Sequence, residues 1–432
     1  MAKIIPFKGV RYSANIDING VVTPPYDVID AAGQEAFYEK NPYNVIRLEL
    51  GKTSPEDNDS DNRYTRAAKY LKEWLASDIL AHDEQDSVYL YEQEFDARGE
   101  RKVRSGFITT VQANDYSKGE VLPHEETLPK HKADRLNLMK ATQANFSPIF
   151  GLYSDPEHVI EAALAKAKGS RKPDAEVTDD QGVVNRLWVV SEPETLQTVV
   201  REMESKKIFI ADGHHRYETA VNFGKEMAAE GKQGYDSLMI CLVNLFNEGL
   251  VVFPTHRVVK NVANLHIPSL LQGLAKEFTV EELPSGTSLK NFIDELETRG
   301  QRSHAFGLYT NEQKYYLLSL KDEDRLDSLN LEGRSAAWRR LDVSILHTLI
   351  LESLLGIGSQ QRADESNLVY VRDEETAKSY ADDGTAQLVF FMNSTKVQEV
   401  TDIATGSEKM PQKSTFFFPK VITGMVMNDY KK

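Results

Sequence analysis

The chain has 432 residues, of which 41% are hydrophobic, 27% charged and 9% aromatic, enough to bury a large core divided among two or three domains. Its 51 basic and 66 acidic residues leave a formal net charge of −15, a surface that repels phosphate backbones and argues against nucleic acid as the main partner. Cys241 is the only cysteine, so intrachain disulfides are excluded, and its apolar surroundings read as core strand rather than as a reactive thiol site.

At the N-terminus, residues 1–7 are too short and interrupted for a signal peptide. No apolar run approaches a membrane span, so a cytoplasmic location is expected. Thr23-Pro24-Pro25-Tyr26-Asp27-Val28 reads as a rigid turn, because two prolines fix the backbone and remove two donors. On this segment alone Asp27 is a solvated acid at an edge turn. Residues 44–50 read as a strand. Residues 51–62 form a polar loop whose Gly51-Lys52-Thr53 lacks the glycine-rich lead-in of a phosphate loop. Ala67, Tyr70, Leu71 and Leu75 recur at helical steps and predict an amphipathic helix over 64–80. Strands are expected at 87–95 and 104–111, joined by the turn Asp96-Ala97-Arg98-Gly99. The segment 123–135 then crowds His124, Glu125, Lys130, His131, Asp134 and Arg135 around two prolines. It reads as a solvated connector or as one wall of a pocket around a charged ligand, with the pocket favoured. An apolar strand at 145–150 follows, then a helix at 157–168, a strand at 182–190 and a helix at 192–206.

The most informative stretch comes next. Ile208 to Ala211 reads as a buried strand, and Asp212-Gly213-His214-His215-Arg216 follows at once. Tyr217, Ala220, Val221, Met227 and Ala228 then mark one face of a helix over 214–229. Gly213 therefore sits at a strand-to-helix turn, where it can take positive φ and let a ligand approach the backbone. The first amides of a helix lack internal partners and the dipole is positive there, so an oxyanion is favoured. Arg216 adds a planar donor fork, a histidine can donate or move a proton, and Asp212 can orient, hold magnesium or act as base. Helix capping accounts for Asp212 alone, not for the two histidines and arginine. Zinc is the weaker reading, since adjacent helical histidines diverge by about 100° whereas metal pairs favour i, i+4 spacing.

Beyond this helix, strands are expected at 237–244 and 250–256, split by the turn Asn247-Glu248-Gly249. His256 and Arg257 repeat the His-Arg pairing at a strand end. A helix and a strand share 265–283, a helix covers 288–299, and 305–309 with 315–320 form a hairpin. Residues 342–355 read as an apolar helix, 386–393 as a strand and 396–405 as a short helix. Lys413, Ser414 and Lys420 frame an aromatic strand and are further candidates for phosphate contact. Hairpins abound and regular βαβ alternation is absent, so the fold class is α+β with mixed sheets.

Together these motifs resemble a widespread bacterial and archaeal family long catalogued as a domain of unknown function. The carriers are Thr23-Pro24-Pro25-Tyr26-Asp27, Pro123-His124-Glu125 through Lys130 with Asp134-Arg135, Ala211 through Tyr217, Pro254-Thr255-His256-Arg257, and Lys413-Ser414-Thr415 with Pro419-Lys420. The turn at 212–216 is also similar to the phosphate turn of the ParB-like and sulfiredoxin superfamily, which includes free-serine kinases. The resemblance implies a ParB/sulfiredoxin-like catalytic core from 1–50 and 183–260, an inserted α/β subdomain over 51–182 and a C-terminal α+β subdomain over 261–432. It implies a phosphotransferase that moves a phosphoryl group from pyrophosphate, ADP or ATP, with Mg2+, onto the hydroxyl of L-serine. Asp27 would be the base, or Asp212 in its place. Asp212 would also hold the metal, with His214 and His215 completing the catalytic set. Gly213, Arg216, His256, Arg257, Lys413, Ser414 and Lys420 would hold phosphate. His124, Glu125, Lys130 and Arg135 would hold the acceptor. Small-molecule substrate and donor are the expected partners, without nucleic acid or membrane, and a homodimer is open. Two departures stand out: the early acid is an aspartate, where the small kinases use glutamate, and the stretch from Asp27 to Asp212 is far longer. A metal-dependent hydrolase and a non-catalytic nucleotide sensor stay open as alternatives.

Overall fold

The computed structural model describes all residues except 1, 126–128, 330, 332 and 432, and the side chains of 129–131 also lie outside the description, that of Lys130 among them. The fold is α+β and divides into two compact units. The first comprises Met1–Pro123, Thr127–Val251 and Phe417–Lys432, the second His124–Glu126 and Val252–Phe416.

A nine-stranded mixed sheet organises the first unit. Its strands are β1 (Ile4–Ile5), β2 (Val88–Ala97), β3 (Glu100–Gln112), β4 (Val121–Leu122), β5 (Ile149–Tyr153), β6 (Ala175–Thr178), β7 (Val184–Val190), β8 (Ile208–Asp212) and β9 (Ser237–Asn244). The order is β4-β8-β5-β9-β3-β2-β7-β6, with β1 paired to β3. The expected hairpin forms, with β2 and β3 in antiparallel register down to Ala97 opposite Glu100. One sheet thus takes strands from both 51–182 and 183–260. The helices include α1 (Ile46–Glu49), α2 (Arg63–Ala76), α3 (Pro129–Thr142), α4 (Val159–Lys168), α5 (Pro193–Glu204) and α6 (His214–Ala229). Ile208, Ile210, Ile240 and Leu242 of the sheet pack with Tyr217, Ala220 and Phe223 of α6 in one core cluster.

Two segments differ from the sequence reading. Residues 44–50 hold helix α1, not a strand. Asn44 accepts from the amide of Ile46 at 2.9 Å and donates to the carbonyl of Gly20 at 2.8 Å, which starts a helical turn. A short apolar run cannot by itself distinguish the two. Half of the charged segment 123–135 is helix as well, since α3 begins at Pro129, a residue suited to the first helical position.

The second unit is built on a six-stranded antiparallel sheet of β10 (His256–Val259), β11 (Phe278–Glu282), β12 (Ala305–Thr310), β13 (Tyr315–Leu320), β14 (Leu368–Val371) and β15 (Leu388–Phe391). The order is β11-β13-β12-β15-β10-β14. Both faces are buried. Phe306, Leu308 and Leu318 pack with Leu270 and Leu274 of α7 (Ile267–Glu277). The alternate residues Ala305, Tyr309 and Leu317 pack with Phe292 and Leu296 of α8 (Leu289–Gly300). That alternation is the period-two signature of a strand covered on both sides. The expected helix over 342–355 runs as α-helix only through Ile345, then as a π-helical stretch over Leu346–Glu352.

Candidate functional site

Asp212 ends β8, and the pairing of β8 with β5 shifts register between Ile210 and Asp212. Such a bulge ends pairing and re-aims a side chain. Gly213 follows with φ 91 and caps α6 without a side chain. The sequence reading gave Gly213 the task of admitting a ligand to the backbone. A Cβ there would lie 2.7 Å from Ile149 Cγ2 and 3.0 Å from Arg216 Nε, so packing on that side adds a second demand for glycine. Glycine is thus required both by φ and by the neighbours on its Cβ side.

The Asp212 carboxylate is held by two cations. Lys420 Nζ donates to Oδ1 at 2.7 Å and Arg216 Nη2 to Oδ2 at 3.0 Å. Burial would raise this carboxyl, but Lys420 and Arg216, with His214 beside them, outweigh it and hold the group down to about 2. Asp212 is an anion throughout the physiological range.

Arg216 is buried and its guanidinium is anchored. Besides Asp212 it donates through Nη1 to Ser147 Oγ at 3.1 Å and to the carbonyl of Pro148 at 2.8 Å. The network continues inward. Ser147 donates to Glu49 Oε1 at 2.8 Å, and Arg135 Nη1 lies 3.3 Å from that same oxygen. Arg135 also donates from Nε to Asp134 at 2.7 Å. Asp134 in turn accepts from Tyr64 at 2.8 Å and pairs with Arg63. Burial pushes the Glu49 carboxyl above its ordinary range, although Arg135 and Ser147 pull the other way. A cavity of about 30 Å³ lies beside Glu49, Arg135, Ser147 and Arg216.

Tyr26 ties the early motif to this network. Its ring centre lies 4.0 Å from the guanidinium of Arg135 and 6.0 Å from that of Arg216, within cation–π range. Burial raises the Tyr26 hydroxyl to about 12, despite the pull of the two arginines. Asp27, the next residue, is exposed. The turn predicted from two prolines therefore carries one ring into the arginines and one acid to the surface.

Lys420 owes its position to Arg104. That arginine is buried in the sheet, stacks 4.7 Å from the Phe150 ring and donates to the carbonyls of Phe418 and Pro419. Gln93 Nε2 donates to the carbonyl of Lys420 itself at 2.9 Å. Burial lowers Arg104 to about 10.

The remaining candidates belong to the second unit. His124 Nε2 lies 2.9 Å from Thr415 Oγ1, and Glu125 accepts from the amide of Lys413 at 2.8 Å. Arg257 donates to the carbonyl of Lys413 at 3.0 Å and to that of Thr255, while Ser414 donates to the carbonyl of Pro411. His256 Nδ1 accepts from the amide of Met392 at 3.1 Å. The contacts of His124, Glu125 and Arg257 bind the segment 411–415 to its own unit.

A family model matches residues 4–344, most of the chain. The chain belongs to this family, the proteins of unknown function DUF1015. No curated protein matches the sequence. Among solved structures, a variant of free serine kinase in complex with AMP aligns over 72% of this chain and 87% of its own, at 14% identity and a TM-score of 0.36. A conserved hypothetical protein from Pyrococcus furiosus covers 75% of this chain and 96% of its own, at 14% identity and a TM-score of 0.35. C-terminally truncated SbnI from Staphylococcus aureus covers 73% and 85%, at 9% identity and a TM-score of 0.34. No helix among the described residues is long and apolar enough to cross a membrane.

Three residues of the network escape a reading of the sequence: Glu49, Ser147 and Arg104. Glu49 carried a weak signal, an acid enclosed by Leu48 and Leu50. Arg104 and Ser147 carried none, since nothing local distinguishes a buried polar group from a solvated one.

Proposed function

We propose that the first unit is a phosphotransferase whose site centres on Asp212, His214, His215, Arg216 and Lys420, with free L-serine as acceptor and pyrophosphate or a nucleotide as donor. One observation carries this reading: an aspartate locked in its anionic form between Lys420 and Arg216, at the uncapped start of a sixteen-residue helix. Phosphoryl transfer needs positioning and charge neutralisation above all, and helix amides with a lysine supply both.

The two acids divide the work. A base works best with a pKa near the operating pH, and Asp212, held near 2, is a poor proton acceptor. Asp27 is exposed and next to Tyr26, so it is the acid assigned to take the serine hydroxyl proton. The serine oxygen forms the new bond to phosphorus as the bond to the leaving oxygen breaks. Lys420, the histidines and the α6 amides stabilise the charge left on the departing phosphate. Arg216 is a positioning residue here, since its bonds to Ser147, Pro148 and Asp212 fix the carboxylate. Arg135, stacked on Tyr26, supports the acceptor side.

Magnesium fits this arrangement in one way. Among the described residues no three His, Cys, Asp or Glu gather to hold an ion. The metal usually keeps one or two carboxylates together with substrate phosphates and water. Asp212 is the carboxylate that would hold it, and the ion would neutralise donor charge.

The test is direct. The protein is incubated with L-serine, magnesium and pyrophosphate, ADP or ATP in turn, and O-phosphoserine is sought by mass spectrometry. Product with at least one donor is expected. Absence of product with every donor would sink the reading.

A further inference from the structure

The second unit has a cavity of its own, of about 410 Å³. Its volume falls within the range of small-molecule sites. Arg334, Arg362 and Lys409 line it, and among the described lining residues the one carboxylate is Glu352. This is a cationic surface on a chain whose net charge is −15. Arg362 reaches Glu352 only at 3.6 Å and spends Nη1 on the carbonyl of Ile357 at 2.8 Å. Trp338 fixes the Lys409 backbone, donating from Nε1 to its carbonyl at 3.0 Å. Leu331, Met410 and Pro411 give the cavity an apolar side.

Two buried polar groups point the same way. His347 lines the cavity, is 5% exposed, and its Nε2 has no hydrogen-bond partner among the described residues. Burial pushes its imidazole well below the ordinary range, and Arg257 and Arg362 add to the effect, so the ring is neutral with one N–H to donate. Arg257 stands behind the wall, 5.0 Å from the ring of Tyr370, which lines the cavity. It is 1% exposed, and its Nε has no hydrogen-bond partner among the described residues, while its other nitrogens donate to the carbonyls of Thr255 and Lys413 and Glu125 offsets part of its charge. Leaving buried donors without acceptors is costly unless something compensates them. His347 also sits in the π-helical stretch over Leu346–Glu352, an irregularity that recurs at functional sites.

We propose that this cavity is a binding site for a small phosphorylated metabolite, with Arg334, Arg362 and Lys409 holding the phosphate, His347 donating to it, and the organic body resting against Leu331, Met410 and Pro411. Arginine forks and a lysine suit a phosphate dianion. The volume exceeds the need of a bare phosphate, which is why an organic body is included. The site is made from the second unit alone and does not depend on the chemistry assigned to the first.

Titration calorimetry on the full chain tests it, with AMP, phosphoserine and inorganic phosphate as probes. At least one organic phosphate should bind more tightly than inorganic phosphate. Arg334→Gln, at a half-exposed position, and Arg362→Gln should each weaken that binding by about tenfold or more, the loss of a charged hydrogen bond. His347→Gln, which keeps a donor, should weaken it less than His347→Leu. Lys420→Met, which alters the first unit, should leave it unchanged. The proposal is overturned if no probe binds at millimolar concentration. It is equally overturned if binding survives both arginine substitutions in protein with wild-type melting behaviour, or is lost only with Lys420→Met.

Discussion

Arg216 and Lys420 reach Asp212 from one helical turn away and from the far end of the chain, and the two pairs do different work. Arg216 has an exposure of only 7% and bonds three acceptors. Arg216→Ala would strand Asp212 and Ser147, so it should cost ~3–5 kcal/mol in a urea melt as well as activity. A melt unchanged from wild type would remove Arg216 from the framework. Lys420→Met should abolish turnover while costing far less stability, which the phosphoserine assay and the same melt would separate. The pH dependence follows from Asp212. Its folded value lies below the ordinary 3.8 of an aspartate, so its pairs stabilise the fold fully above about pH 4, and this is lost as pH falls toward 2. Between about pH 6 and about pH 3, wild type should lose more stability than Asp212→Asn. Equal losses would mean the pairs contribute nothing.

Gly213 shows how an element junction sets these side chains. The strand ends at a bulge, the chain takes φ 91, and α6 starts at once. Gly213→Ala would force an L-residue into the left-handed region at ~1–2 kcal/mol and press its Cβ on Ile149 for another ~1–3 kcal/mol. The denaturant midpoint should fall with the slope unchanged, and a wild-type midpoint would show that the turn tolerates a side chain. The 208–212 strand and the α6 helix were legible from residue pattern, because an apolar run broken by Asp-Gly and followed by a 3.6-residue period leaves few alternatives. Helix α1 was not legible. Val45, Ile46 and Leu48 suit either element, and the choice fell to the Asn44 bond to Gly20 and to burial beside Ala67 and Leu71. The π-helical stretch was also hidden, since an apolar run fixes burial without fixing whether bonds span four residues or five.

Each unit carries its own buried clusters, so heat should unfold the protein in more than one step, with a calorimetric enthalpy above the van't Hoff value. Phe306→Ala removes a fully buried ring from the second core, should cost ~3–5 kcal/mol, and should shift one transition only. A single transition that moves as a whole would show that the units unfold together. The amino-acid sequence by itself determined the α+β class, the family, and the strand-to-helix turn with its cations, because these rest on residue order over a dozen positions. It also marked Tyr26-Asp27, Arg135 and Lys420 as unusual. Only the tertiary structure decided that Tyr26, Glu49, Arg135, Ser147, Asp212, Arg216 and Lys420 form one network in the first unit, and that Arg257, Lys413 and Ser414 belong to the second. Charge pairing acts across a few ångströms of space, and the spacing of residues along a chain does not record which of its distant cations will arrive there.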